Sequence, residues 1–116
     1  MRKLTLENTR KLAIHKQALS GTPPPSSPNA ILNLVQDLGC LQLDPISAVA
    51  RSHLLVLFSR LGNYDLGHLD QVLWRDHTLF EYWAHCAAIV PTSDYAIHNL
   101  MMRDYGNATS TWGKRR

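Results

Sequence analysis

The sequence has little of what would place a protein in a membrane or in an oxidising compartment. Its longest uninterrupted apolar run, residues 54–58, ends at Ser59 and Arg60, whereas a helix that spans a bilayer needs about 20 apolar residues. Its two cysteines, Cys40 and Cys86, have no C-x-x-C partner. We therefore predict no membrane insertion and no disulfide, with both cysteines acting as small buried side chains.

Signals for a metal and for export are also missing. None of the six histidines pairs with another at H-x-x-x-H spacing or stands beside a cysteine pair, so we predict no metal site. The basic N-terminus is not followed by an apolar stretch of about 7–15 residues, which a secretory signal requires. We expect a cytoplasmic protein.

Charge is scarce and unevenly distributed. Charged residues make up 18% of the 116 residues and hydrophobic residues 45%, which suits one soluble domain and excludes a two-domain enzyme or a disordered chain. Residues 1–16 carry five Lys or Arg against one Glu, residues 114–116 are all basic, and residues 17–113 carry four Arg against eight acids. Because the middle is acidic, the net charge of +3 is weak support for a nucleic-acid-binding surface.

Apolar residues at helical spacing predict about five helices. We expect a helix over residues 6–19 capped by Thr5, one capped by Asn29, a long one from Ile46 to Leu61, one from an Asp65 cap to about Arg75, and a last one capped by Thr92 and closed by Gly106. The residues expected to face the core include Leu6, Ala13, Leu19, Ile31, Leu34, Val35, Leu38, Ile46, Val49, His53, Leu57, Phe58, Leu61, Leu66, Leu69, Val72, Leu73, Ile97, Leu100 and Met101.

The remaining segments complete a mainly helical domain over residues 1–106. Residues 20–28, SGTPPPSSP, predict an exposed linker within the domain, because proline ends helices. Residues 79–90 are rich in aromatic and small residues and predict a strand or hairpin. Residues 107–116 are predicted to form a flexible basic tail.

One short segment carries candidate chemistry. Residues 40–44 alternate strictly, so that Gln42 and Asp44 point the same way from an extended chain, with Cβ atoms roughly 7 Å apart. Such a pair could hold a water molecule, with the carboxylate taking its proton and the carboxamide orienting it. Two structural alternatives stay open: Asp44 as the N-cap of the following helix, and Gln42 as a solvated strand residue.

These residues resemble the winged-helix DNA glycosylases of the crosslink-repair (YcaQ/AlkZ-like) family. The resemblance runs from about residue 6 to residue 105 and rests on Q-L-D at 42–44, R-S-H-L-L-V-L-F-S-R at 51–60 and F-E-Y-W-A-H at 80–85. It implies a truncated N-terminal part of a longer protein with several winged-helix domains around a DNA channel. The elements predicted above from the sequence pattern make the fold of this part mainly α, with a minor β element.

The resemblance further implies a monofunctional glycosylase, without metal or cofactor, that excises N-alkylated purines and unhooks interstrand crosslinks. Its partner would be double-stranded DNA, and the full-length form would be a monomer. On this interpretation Asp44 stabilises the oxocarbenium-like sugar and activates water, and Gln42 positions that water. A 116-residue fragment is expected to be inactive alone.

Five further residues are candidates for DNA or substrate binding: Arg51, His53, Tyr82, Trp83 and His85. Arg51 and His53 follow the Gln42–Asp44 motif closely enough to lie at the opening of the same site, where they could contact a phosphate. Tyr82, Trp83 and His85 could stack on a base or line the cavity that holds the damaged base. The structural alternatives are a salt bridge for Arg51, a hydrogen bond at the core edge for His53, and aromatic packing under a wing for the others.

A different class of function also stays open. A non-catalytic winged-helix DNA-binding module, such as a transcriptional regulator, would need only the helical content and the basic ends. Its DNA binding would be sequence-selective, whereas a lesion enzyme would prefer damaged duplex of any sequence. In either case Glu81 is expected to pair with an arginine.

Overall fold

Helices and one small sheet make up residues 3–107, the part of the chain that the structure, a computed structural model, describes. In chain order the elements are α1 (Leu6–Lys16), α2 (Pro28–Leu38), β1 (Leu41–Gln42), α3 (Ser52–Leu61), α4 (Leu66–Asp70), β2 (Leu79–Trp83), β3 (Ala87–Pro91) and α5 (Tyr95–Asn107). A π-helical turn, Gln71–Arg75, continues α4, and a 3-10 turn, Thr92–Asp94, precedes α5. The prediction of a mainly helical domain with a minor β element is confirmed. The predicted tail lies outside the described residues apart from Asn107, the last residue of α5.

The sheet is antiparallel with strand order β1-β3-β2. Ile89 in the central strand faces Leu41 on one side and Glu81 on the other. The amide of Leu43 donates to the carbonyl of Ala87 at 2.8 Å, which extends the contact of β1 by one residue. The hairpin predicted over residues 79–90 is therefore formed by β2 and β3.

The core lies between the sheet, α2, α3 and α4. Its buried apolar side chains are Ile31, Leu34, Val35, Leu41, Leu57, Leu61, Leu69, Val72, Leu73, Leu79 and Ile89. The apolar faces predicted for α2 and for the end of α3 are confirmed. The face predicted for α4 is confirmed at Leu69, Val72 and Leu73, whereas Leu66 at its start is 55% exposed. Asp65 caps α4 as predicted, since its Oδ1 accepts from the amide of Gly67 at 2.8 Å.

The start of α2 differs from the prediction. Ser27, not Asn29, is the N-cap, and its Oγ accepts from the amide of Ala30 at 3.1 Å. Pro28 then occupies the first turn, where its fixed φ suits a helix and its missing N–H costs nothing. Gly39 ends the helix with a φ of 82°, as its position predicts.

The long helix predicted from Ile46 to Leu61 is wrong in its first half. The α3 helix begins only at Ser52, and Ile46 and Val49 are 74% and 90% exposed. The Asp44 side chain accepts from the amide of Ile46 at 2.8 Å in a tight turn, and residues 46–51 that follow form bends and an isolated bridge and no helical turn. Phe58, also expected in the core, is exposed as well.

The first helix is shorter and less buried than expected. Thr5 caps α1 as predicted, with its Oγ1 accepting from Asn8 at 3.2 Å, but α1 ends at Lys16 and contains no buried residue. The chain turns at Ala18, whose φ of 53° is left-handed. The guanidinium of Arg60 donates to the carbonyl of Gln17 at 2.8 Å and ties this turn to α3.

The last helix also departs from its prediction. Thr92 does not cap it, because its Oγ1 donates to the carbonyl of His77 at 2.6 Å. Gly106 does not close it, since α5 continues to Asn107. The three side chains expected in the core, Ile97, Leu100 and Met101, are exposed.

Candidate active site

An open cleft of about 650 Å³ lies against one face of the sheet, between the loop after β1, the start of α3 and the α4 segment. Its polar lining comes from Asp44, Arg51, His53, Asp70 and Glu81. Leu43, Leu54, Leu69, Leu73 and Ile89 contribute apolar walls. The cleft thus brings together three of the residues that the sequence singled out, Asp44, Arg51 and His53.

Asp44 is held in place by its own turn. The pairing of Leu43 with Ala87 fixes the chain just before it, and Pro45 follows. Its Oδ1 accepts from the amide of Ile46 at 2.8 Å, which sets the plane of a half-buried carboxylate. The alternative of Asp44 as the cap of the next helix is wrong, because Arg51 occupies the N-cap position of α3.

His53 is the most buried polar residue of the cleft, with 8% of its surface exposed. Its Nδ1 is buried and has no hydrogen-bond partner among residues 3–107, so the hydrogen bond considered from the sequence is not formed there. Burial, and to a lesser degree the positive charge of Arg51, lowers the pKa of His53 below its ordinary value, while Glu81 opposes this shift. Burial therefore favours the neutral imidazole.

The cleft carries excess negative charge. Asp44, Asp70 and Glu81 contribute three carboxylates against the guanidinium of Arg51. Within the described residues, the one ion pair closer than 4 Å joins Lys11 to Glu7 on α1, far from this site in the sequence. The salt bridge considered for Arg51 and the arginine partner expected for Glu81 are thus not formed in this part of the chain.

Gln42 stands apart from the cleft. Its side chain is exposed on β1, where its backbone pairs with Ala88, and it is not among the residues that line the cleft. Gln42 thus occupies the position of a solvated strand residue, which is one of the two structural alternatives considered from the sequence. The structure therefore does not bring Gln42 and Asp44 together in one cavity.

The aromatic candidates also lie elsewhere. Tyr82 and Trp83 line a second cavity of about 550 Å³, with Met102 and Tyr105 of α5. His85 is exposed in the hairpin turn, and its Nε2 lies 3.3 Å from the Sγ of Cys86. Cys86, like Cys40, is a free and partly exposed cysteine, so the prediction of two unbridged cysteines is confirmed and their full burial is not.

Sequence reasoning missed Trp74 and Asp70, and it gave Glu81 only a structural role. All three line the cleft. A signal for Trp74 was present, because ideal helix spacing turns residue 74 away from the face that carries Val72 and Leu73. An aromatic residue at such a position is expected to be exposed, and Trp74 is 61% exposed.

Within residues 3–107, no group of three or more His, Cys, Asp or Glu side chains could hold a metal ion. A search of the same residues finds no helix with the length and hydropathy needed to cross a membrane.

Residues 35–116 match the family described as DNA glycosylase AlkZ-like. The chain belongs to this family. The match starts within α2 and includes every residue of the cleft. The family predicted from the Q-L-D, R-S-H-L and F-E-Y-W-A-H segments is therefore confirmed, and DNA is the substrate that membership in this glycosylase family implies. No solved structure matches the chain significantly.

Proposed function

We propose that this chain carries the catalytic carboxylate of a DNA repair glycosylase that hydrolyses the N-glycosidic bond of alkylated purines and unhooks interstrand crosslinks. The observation that carries the proposal is Asp44, an oriented carboxylate in an acidic cleft. Family membership favours this enzyme over the non-catalytic regulator.

The chemistry needs few groups. Alkylation of a purine ring nitrogen leaves the base cationic, so it departs with the electrons of the bond to C1′ and the sugar becomes an oxocarbenium ion. A carboxylate stabilises that cation and accepts the proton of the water that attacks C1′. The hydrogen bond from Ile46 orients Asp44 before substrate binds, which reduces reorganisation in the transition state.

Other residues are assigned supporting roles. Gln42 positions the attacking water, a role that rests on the family resemblance. Arg51, exposed at the cleft, contacts a backbone phosphate. Tyr82, Trp83 and His85, which lie outside the cleft, contact DNA beside the excised base.

For the fold, we propose a winged-helix domain over residues 1–106. The support is the order α2-β1-α3-α4-β2-β3 with the sheet order β1-β3-β2, in which the β2–β3 hairpin would be the wing. The resemblance implies further domains around the DNA. We therefore propose that the 116 residues alone do not turn over; measured turnover by the isolated chain would contradict this.

The test is single-turnover excision of N7-methylguanine from a duplex by the complete enzyme. Asp44→Asn keeps the size and loses the charge, and we expect the rate to fall by a factor of about 100 or more. Asp104→Asn, an exposed carboxylate on α5, is the matched control and leaves the rate unchanged. An Asp44→Asn rate within a factor of about two of the wild type would show that the assigned role is wrong.

A further inference from the structure

Trp74 is a large aromatic residue that the fold does not use. Its neighbours Val72 and Leu73 are buried in the core, whereas Trp74 is 61% exposed and lines the cleft. An indole contributes to stability by burying its large apolar surface. The exposed position therefore leaves the ring available to a ligand in the cleft.

The backbone that carries Trp74 is firmly held. It lies in the π-helical turn Gln71–Arg75, and π-helical turns are frequent at functional sites. The amide of Asp76 donates to the carbonyl of Gln71 at 2.8 Å, and the Gln71 carboxamide donates to the Asp76 carboxylate at 2.9 Å. The amide of Thr78 donates to the carbonyl of Val72 at 3.0 Å. The indole is thus attached to a fixed scaffold.

The surroundings of Trp74 favour a cation. Asp44, Asp70 and Glu81 are carboxylates of the same cleft, and none forms an ion pair within the described residues. His53 independently indicates a ligand, because it is more than nine-tenths buried in the cleft wall with an unpartnered Nδ1. Since burial lowers its pKa, His53 is less readily protonated than a free histidine and so adds less positive charge that would repel a cation.

We propose that Trp74 is a specificity-determining residue, whose indole stacks on the purine in the cleft and selects bases that carry a positive charge. This inference rests on the proposed function, which supplies the alkylated purine. A cation is attracted to the face of an aromatic ring, most strongly to tryptophan. Carboxylates beside the ring add to the same preference.

The first experiment isolates the fluorescence of Trp74. The chain has three tryptophans, so Trp83→Phe with Trp112→Phe leaves Trp74 as the sole indole. This variant is titrated with 7-methylguanosine in mildly acidic buffer, where the nucleoside is cationic, and with O6-methylguanosine, which carries its methyl group on oxygen and is neutral. We expect quenching by both, with an affinity about 2- to 30-fold higher for the cation, the range that a cation–π contact spans. Equal affinities, or no quenching by the cation, would overturn the proposal.

The second experiment compares two exposed aromatic residues by calorimetric titration of single variants. Trp74→Leu is expected to abolish the preference for the cation, and Trp74→Phe to retain part of it, since phenylalanine offers a weaker ring. The matched control is Phe58→Leu, because Phe58 is 57% exposed but does not line the cleft and has no assigned role in binding. Equal effects of Trp74→Leu and Phe58→Leu would overturn the role of Trp74. Failure of the proposed function would instead appear as undiminished excision by the Asp44→Asn enzyme.

Discussion

The two faces of the hairpin sheet differ in what they present. On β2, Glu81 points into the acidic cleft, whereas its neighbours Phe80 and Tyr82 point to the opposite face. There the ring of Phe80 lies 5.9 Å from that of Tyr95 and 6.0 Å from that of His98, measured between ring centroids. Strand alternation thus divides one sequence segment between an acidic cleft and an aromatic contact with α5.

The difference indicates that one face of the sheet stabilises the fold and the other binds substrate. The aromatic face joins α5 to the sheet: Tyr82 lies 4.6 Å from His98 between ring centroids, in addition to the contacts of Phe80. On the cleft face, within the described residues, no carboxylate has an ion-pair partner within 4 Å, and the buried Nδ1 of His53 has no hydrogen-bond partner. A buried polar atom left unpaired costs stability, so the Nδ1 of His53 favours a role of this face in binding or catalysis. We expect substitutions on the first face to affect folding and those on the second to affect excision.

The largest effect should come from the aromatic face. Phe80→Ala removes a half-buried ring that contacts Tyr82, Tyr95 and His98, and we expect the free energy of unfolding to fall by about 2–4 kcal/mol. Urea denaturation followed by circular dichroism measures this. The folded fraction of Phe80→Ala should bind 7-methylguanosine with unchanged affinity. A Phe80→Ala variant that keeps its stability but loses this affinity would show that the aromatic face, and not the cleft face, binds the base.

A smaller effect is expected one residue along the strand. Glu81→Gln removes a charge from the cleft while keeping the size of the side chain, so we expect the excision rate of the complete enzyme to fall roughly 3- to 10-fold. The free energy of unfolding should change by no more than about 0.5 kcal/mol, because Glu81 is exposed and unpaired in the described structure. Tyr95→Leu is the control from the other face, because Tyr95 contacts Phe80 there and has no assigned role in DNA binding. Loss of excision in Tyr95→Leu but not in Glu81→Gln would contradict the assignment of the faces.

The smallest effect is a dependence of stability on pH. Because burial lowers the pKa of His53 below 6.5, the unfolded chain binds a proton there while the folded chain does not. The free energy of unfolding should therefore decrease as the pH falls below about 6.5, until the folded form is protonated as well. Asp44, Arg51, Asp70 and Glu81 are the charged groups around His53 in the cleft.

Denaturation of the wild type and of His53→Gln across this pH range measures the effect. The variant should lose part of the decrease, whereas His15→Gln, which alters an exposed histidine of α1, should keep it. A pH dependence that is identical in His53→Gln and the wild type would show that His53 is not held neutral by the fold.

Local signals explain what the sequence could predict about the fold. The apolar face of α2, the Asp65 cap and the β2–β3 hairpin depend on nearby residues, and they were predicted. The helix start at Ile46 was wrong because apolar spacing alone extended the helix through residues 46–50, whereas Ile46 and Val49 are exposed and have no core to pack against in the described part of the chain. The faces of α1 and α5 failed because periodicity identifies an apolar stripe but not what covers it.

The sequence predicted those residues of the candidate site that are close together in the chain, and it missed those that only the fold brings near. Asp44, Arg51 and His53 are close in sequence and lie in one cleft. Tyr82 was grouped with them because its segment resembles a family motif, but strand alternation turns it to the other face. Asp70 ends α4 and Trp74 lies in the π-helical turn that follows, and only the packing of these two elements against α2 and of the turn against β2 brings both residues to the cleft of Asp44.

The most direct test of the account is to observe which face binds a cationic purine nucleoside. Amide chemical shifts of the isotope-labelled chain, recorded during titration with 7-methylguanosine, report both faces at once. The account predicts shifts at Leu43, Asp44, Arg51, His53 and Glu81, together with the indole N–H of Trp74, and little change at Met102 and Tyr105. Shifts confined to Met102, Tyr105 and the indole of Trp83 would contradict it, because the base would then lie in the aromatic cavity.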